Sequence, residues 1–506
     1  MFGTFGLFGT FEKEVMPRSF GVGAPLFIGG SGSLPSQGKK AQSSTGLNSV
    51  PRTNLKSCSW WSTATTTDEN ARHPFALFRV QRGGQLSSVG GHFFRGGEKM
   101  KKVLFVTVLI GLLGVLAACA PATPAPAPAT PVPAVKTLKA CFIYVGPIGD
   151  IGWTHAHNEG RLYVEKKYPW LKTAYAEAVA EADVDRFLDR YVVEEKCDVI
   201  FTTSFGYMDA TLAAAKKYPN TIFFHCSGFK RAPNLGNYFA DFYQVYYLNG
   251  LMAGAMTKSG KVGYVAAHPI PEVIRHIDAF TLGVREVNPK ATVDVRWIFA
   301  WYDPAKARQA AEALIAAGVD VLAFTEDTAT VVQVAEEYTA KGKPVYSFGH
   351  YSPMAQFGPN SLISGQLVNW GVLYEDILTK VYLGVYTNKN LDKVDYWGLL
   401  GGGIQLGAPA AVELGGKFGE PINPKFEAAL KGVKVKDALL GEVTVYDLVF
   451  KRLEQMKDPA MLFDPFTGPI KDQAGKERVK PGQRLNYVEL LNIDWFVEGV
   501  IGSPKP

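Results

Sequence analysis

From Leu138 onward, short apolar runs alternate with segments whose apolar positions recur at helical spacing. LKACFIYVG at 138–146 predicts a strand, GWTHAHNEGRLYVEKKYP at 152–169 a helix closed by Pro169, and LKTAYAEAV at 171–179 a second strand. Helix 183–195, strand 197–205, helix 207–219 and strand 220–228 follow, with short connections. A second round begins after a long helix at 241–260. It holds strand 261–269, helix 271–289, strand 292–301, helix 303–318, strand 319–327, helix 329–342 and strand 344–350. Segments 361–384 and 396–407 come next, and the C-terminal part is less regular. This rhythm predicts an α/β fold with mostly parallel sheets in two similar lobes. Ligand groups then collect at strand C-terminal ends, in a cleft between the lobes.

Residues 1–99 carry no such pattern; they are rich in Gly, Ser, Thr and Phe without periodicity. Position 100 changes the picture. Met100, Lys101 and Lys102 form a short positive region, VLFVTVLIGLLGVLA an apolar core, and Leu116-Ala117-Ala118-Cys119 a small-residue end. That is the three-part layout of an export signal, and it resembles a bacterial lipoprotein signal whose cysteine is lipidated. The apolar run is shorter than the roughly 20 residues a membrane span needs. A signal belongs at an N-terminus, so 1–99 reads as upstream translation from a wrongly chosen start. The Gly96-Gly97-Glu98-Lys99 stretch before Met100 can be encoded with a purine-rich ribosome-binding sequence. The expected order is signal peptide 100–118, then lipidated Cys119 with a Pro/Ala tether to 136. Alternating Ala, Thr and Pro favours extended backbone and builds no core.

Charge follows the same division. The 506 residues hold 53 basic and 47 acidic groups, a net charge of +6. Residues 1–99 hold eleven basic and five acidic groups, which accounts for the whole excess. From Cys119 onward there are 40 basic and 42 acidic groups, so basicity gives no ground for a nucleic-acid partner. Cys141, Cys197 and Cys226 lack tight spacing and read as buried thiols. No GxSxG elbow, P-loop, HExxH helix or paired-cysteine metal motif is present. The first strand–helix turn reads Gly146-Pro147-Ile148-Gly149-Asp150, without a GxGxxG loop. A non-enzymatic protein without metal or cofactor is expected.

The second round carries a resemblance. Met256-Thr257-Lys258, KVGYVAAHPIPEVIRHIDAFTLGVREVNPKATVDV and WYDPAKARQAAEAL closely resemble the basic membrane protein family of exported lipoproteins. These are PnrA-like substrate-binding components of ABC importers. YVGPIGDIGWTHAHNEGR fits the branch resembling adenine-binding members. The resemblance covers about 138–410 well and the tail more loosely. It implies a type I periplasmic-binding fold: two Rossmann-like lobes with parallel sheets, joined by a hinge. Lobe 1 is expected over 137–256, lobe 2 over 257–350, and hinge crossings with C-terminal parts of both lobes over 351–506. It also implies capture of a purine nucleobase or nucleoside, ABC permease and ATPase partners, and a lipid anchor holding the protein on the extracytoplasmic face of the cell membrane.

Trp153 matches the family's stacking aromatic; alternatively it is a core residue at the helix start. Asp150 offers a carboxylate to ligand N–H groups or caps a turn. Thr154 and His155 supply hydrogen bonds or lie at the surface. Ser204, Phe205 and Gly206 end the third strand, with Phe205 as a second aromatic face or a core residue. The resemblance places Trp301 at the cleft, with Asp303 capping the next helix. Asp327 matches a family carboxylate able to accept two N–H bonds. Gly349 and Tyr351 stand at the end of the last strand of the second round. Departures are Thr325 for a histidine, Pro353 for an acid that His350 or Tyr351 replaces, and Asp241 where a base is usual. They leave open another small ligand, such as a sugar or a riboflavin-like molecule. A ligand sensor and, more remotely, a nucleosidase are the remaining alternatives.

Overall fold

The computed structural model describes residues 136–403, 408–458 and 460–505. The readings of 1–99, of the signal at 100–118, of Cys119 and of the tether up to 135 lie outside the described residues.

Strand β1 (Leu138–Tyr144) has almost no exposed position, because helices cover both faces of its sheet. The first round continues with α1 (Trp153–Lys167), β2 (Leu171–Ala176), α2 (Val184–Val193), β3 (Val199–Thr203), α3 (Met208–Lys217), β4 (Ile222–Cys226) and β5 (Leu235–Ala240). β5 is buried at every position. Its LGNYFA sequence mixes Gly and Asn into the run and escapes a periodicity reading. The second round is α4 (Tyr243–Met256), β6 (Lys261–Ala266), α5 (Pro271–Val287), β7 (Thr292–Trp297), α6 (Pro304–Ala316), β8 (Val321–Thr325), α7 (Thr330–Ala340), β9 (Tyr346–Gly349) and β10 (Leu362–Val368).

The remaining elements return to both sheets. α8 (Trp370–Tyr382) packs on α1, and β11 (Asp395–Leu399) with β12 (Gly402–Gly403) extends the first sheet. β13 (Val412–Leu414) borders the second. The first sheet runs β12-β11-β5-β4-β3-β1-β2 and the second β13-β10-β9-β8-β6-β7-β14, where β14 is Val500–Ile501. In each, only the edge strand β12 or β13 is antiparallel. Both contain the same parallel order, β2-β1-β3-β4-β5 and β7-β6-β8-β9-β10. This is the two-lobed α/β architecture of type I periplasmic-binding proteins.

Two expectations need correction. The helix at 241–260 was placed with the first lobe, but α4 packs on α5 and β10, so the second lobe begins with it. Every α4 residue is buried, and a Cβ on Gly250 or Gly283 would fall on backbone of the facing helix, which permits that close approach. Second, Cys141 and Cys197 are not thiols but a disulfide, with Cα atoms 6.0 Å apart. Fifty-six residues separate them in sequence, but β1 and β3 are neighbours in the sheet. Among the described residues, Cys226 alone is a free cysteine, and it is buried.

The C-terminal segment touches both lobes. The Tyr487 hydroxyl donates to Asp395 of the first lobe at 2.8 Å, and its ring packs edge-on against Trp397. Farther on, β14 pairs parallel with β7 of the second lobe.

Candidate functional site

An open sheet with the 2-1-3-4-5 order has its crevice where strand order reverses, between the first and third strands. The two lobes turn these crevices, β1/β3 and β6/β8, toward each other. The slit between them is lined by Val145, Trp153, Ser204, Phe205 and Ser227 from the first lobe. Glu272, Trp301, Asp327 and Tyr351 line it from the second. The space between these side chains, open to solvent at its mouth, is about 260 Å³. Three loop residues around it, Ile151, Ser227 and Tyr351, have φ of 63°, 60° and 61°. For residues with a Cβ, such left-handed backbone is held by surrounding packing and clusters at binding sites.

The first lobe supplies ring surface and hydroxyls. Trp153 opens α1 at 6% exposure. Its indole Nε1 donates to the Thr203 carbonyl at 2.9 Å, and its ring packs edge-on against Tyr351 and Trp370. It is both a core residue and a slit wall. Ser204 donates to Glu181 at 2.6 Å, and Phe205 is half-buried at the slit.

The second lobe supplies carboxyl groups. Asp327 is raised well above the carboxylate range by burial first, then by Asp150 and Glu326; the Trp153 backbone N–H opposes the shift. Burial, followed by the Asp241 charge, brings Glu272 to about 7, against the pull of Arg275. Tyr351 adds a buried ring.

Contacts cross between the lobes at several points. Trp301 Nε1 donates to Glu181 at 3.4 Å, and the Ser352 hydroxyl donates to the Gly152 carbonyl at 3.2 Å. A Cβ on Gly152 would lie 2.6 Å from the Asp327 Cα, so the absence of a side chain there permits the approach. The lobes are closed.

Five of the sequence candidates do not line the slit. The Asp150 carboxylate accepts backbone N–H bonds from Gly152, Thr154 and His155 at 2.8–2.9 Å. It satisfies the free amides at the start of α1, and burial raises it to about 6 despite them. The Thr154 hydroxyl accepts from the Gly146 N–H. Gly206 packs against the Glu181 carboxylate, and Gly349 sits beside Met354. His155 borders a neighbouring cleft that meets the slit at Tyr351 and is also lined by Pro353. Trp153, Ser204, Phe205, Trp301, Asp327 and Tyr351 are brought together.

Asp303 caps α6 through the Lys306 N–H. Asp241, where a base was expected, pairs with Arg275 at 2.7 Å and His276 at 3.0 Å. Burial pushes Asp241 up, but these partners outweigh it and hold the carboxyl below its ordinary value. His350 is engaged with Tyr246 and Gln366 and leaves the site to Tyr351.

Sequence reasoning missed Val145, Ser227, Glu272 and Glu181. For Glu272 the signal was present: it stands in the first turn after β6, the place Trp153 holds after β1.

A family model for PnrA-like ABC transporter substrate-binding proteins matches residues 137–437. A Haloferax volcanii protein named as an ABC transporter glucose-binding protein is 38% identical over 58% of this chain and 71% of its own. A Brucella abortus protein named as purine-binding is 35% identical over 72% of this chain and 93% of its own. Among solved structures, an ABC transporter solute-binding protein from Aeropyrum pernix K1 aligns at 16% identity. The alignment covers 67% of this chain and 94% of that one, with a TM-score of 0.49.

Proposed function

Since the chain belongs to the PnrA-like family of ABC transporter substrate-binding proteins, which bind solutes and do not transform them, we propose that it captures a purine nucleobase or nucleoside between its lobes. The observation that carries this reading is the distribution of polarity in the slit. Trp153, Phe205, Trp301 and Tyr351 give ring surface, while the polar side chains without a ring number four: Ser204, Ser227, Glu272 and Asp327. Ser204 is engaged with Glu181, and Asp327 faces the Trp153 N–H. A planar heterocycle with apolar faces and a polar edge suits such a lining. A hexose carries hydroxyls around its whole rim and would leave several unpaired. The glucose-binding name of one relative makes a hexose the second reading.

In this reading the signal region exports the chain, Cys119 anchors it outside the cell, and the tether gives it reach. The closed form docks on a permease, which releases the ligand for ATP-driven import. Closure shifts a population between open and closed lobes, with no covalent step.

Calorimetric and thermal-shift screening of the purified protein against adenine, guanine, adenosine, guanosine, glucose and riboflavin tests the assignment. Stabilisation by purines is expected. Clear binding of glucose with no response to any purine overturns it.

A further inference from the structure

Glu272 lines the slit at 4% exposure, and among the described residues no basic side chain lies within ion-pair distance of it. Arg275, one turn along α5, is committed elsewhere: its Nε donates to Asp241 at 2.7 Å and its guanidinium lies over the Trp397 ring. The hydroxyls beside Glu272 are those of Ser227 and Tyr351. The Ser227 hydroxyl softens the carboxyl's shift but is buried and makes no hydrogen bond of acceptable geometry. Spare hydrogen-bonding capacity in the slit therefore concentrates on Glu272 and Ser227, one from each lobe.

We propose that Glu272 and Ser227 form the specificity-determining edge of the slit, with the Glu272 carboxyl set against a ring nitrogen and the adjacent N–H of an uncharged nucleobase. The proposal rests on the purine reading and deepens it. A carboxylate only accepts hydrogen bonds; a carboxylic acid donates and accepts. The surroundings favour the acid. Asp241 is the charge of like sign, Arg275 is the opposing cation, and the remaining titratable neighbours are Asp327, Cys226, Tyr264 and Tyr351. Burial is the chief cause and, with the Asp241 charge and against Arg275, brings the group to about 7. The sign follows: binding that needs the acid is strongest below that value and weakens as pH rises through it. The loss approaches tenfold per pH unit above it. A hexose presents only hydroxyls, which a carboxylate accepts equally well.

The test uses calorimetric titration with adenine and glucose as probes, from about pH 6 to about pH 8.5. Adenine stays uncharged across that range. Wild-type protein is expected to lose at least roughly tenfold in adenine affinity over it. Glu272→Gln keeps one donor and one acceptor, so it should bind adenine within about threefold of wild type at the acid end and show no pH slope. Glu272→Leu should lose about tenfold or more throughout. Its ligand-free unfolding midpoint separates lost binding from lost fold. A Gln variant that keeps the wild-type slope, or a Leu variant that binds adenine like wild type, overturns the specificity edge alone. Wild-type protein that binds no base at any pH overturns the purine reading and this edge with it.

Discussion

The two lobes share a backbone plan and divide the chemistry. Each has the same parallel strand order, and left-handed residues recur at matching places: Ala178 and Phe299 after the second strand, Ser227 and Tyr351 after the fourth. The side chains at matching places differ. After its first strand, one lobe sets Trp153 and the other Glu272. After the third, one sets Ser204 and Phe205, the other Asp327. Only the first lobe carries a disulfide among the described residues. A repeated backbone thus places two strand-end crevices face to face, while recognition comes from their difference: both sides give ring surface, but the carboxyl groups that line the slit come from the second lobe alone. Neither lobe alone holds the full set of contacts.

The disulfide is the covalent difference between the lobes, and its removal should have the largest effect. Replacing Cys141 and Cys197 by serine opens a loop of 56 residues. That should cost about 2–4 kcal/mol of stability, confined to the first lobe. Hydrogen exchange should accelerate in β1 and β3 while β6 and β8 stay protected. Equal acceleration in both sheets would show that the lobes unfold as one unit.

Next comes the ring asymmetry. Trp153→Ala should weaken purine binding by about 10- to 100-fold, the range for losing a base–aromatic stack of about 1–3 kcal/mol. The same change leaves a hole beside Tyr351 and Trp370, so the unfolding midpoint falls as well. Trp153→Phe keeps a ring and should restore most of the affinity. Unchanged affinity in the alanine variant would take Trp153 out of the site.

A smaller effect concerns the approach of the lobes. Gly152→Ala puts a methyl 2.6 Å from the Asp327 Cα and should hold the lobes apart. Affinity should fall about tenfold, roughly 1.4 kcal/mol. Small-angle scattering should show the ligand-bound variant more open than wild type. Scattering identical to wild type would mean that the backbone absorbs the methyl without opening.

Most of the fold was legible, because strands covered on both faces read as apolar runs and their helices keep a clear period. β5 was not, because LGNYFA lies buried by the packing around it and its own sequence lacks the usual run. The disulfide was hidden because sheet order, not sequence spacing, brings β1 and β3 together. At the site, aromatic and acidic residues at strand ends were visible as types. Sequence could not say which acids turn inward. Asp150 spends its oxygens on three backbone amides, and Asp241 is taken by Arg275 and His276. Glu272, buried and free of an ion pair among the described residues, reads in sequence like any acid in a first helical turn.

The finest probe is the latch between Trp301 and Glu181. Glu181 is exposed and already accepts the Ser204 hydroxyl at 2.6 Å, so its bond from the indole at 3.4 Å is a long, solvent-facing addition. Such bonds contribute less than about 1 kcal/mol. Trp301→Phe keeps an aromatic wall and the packing against His268 while removing only the N–H donor. Affinity should fall by no more than about fivefold, seen as faster ligand dissociation with association unchanged. Contacts remaining at Gly152, Ser352 and Asp327 still bring the lobes together. A loss well beyond tenfold would mean that closure hangs on this single rim contact, and the placing of the carboxyl groups in one lobe would then describe the slit's lining but not what holds it shut.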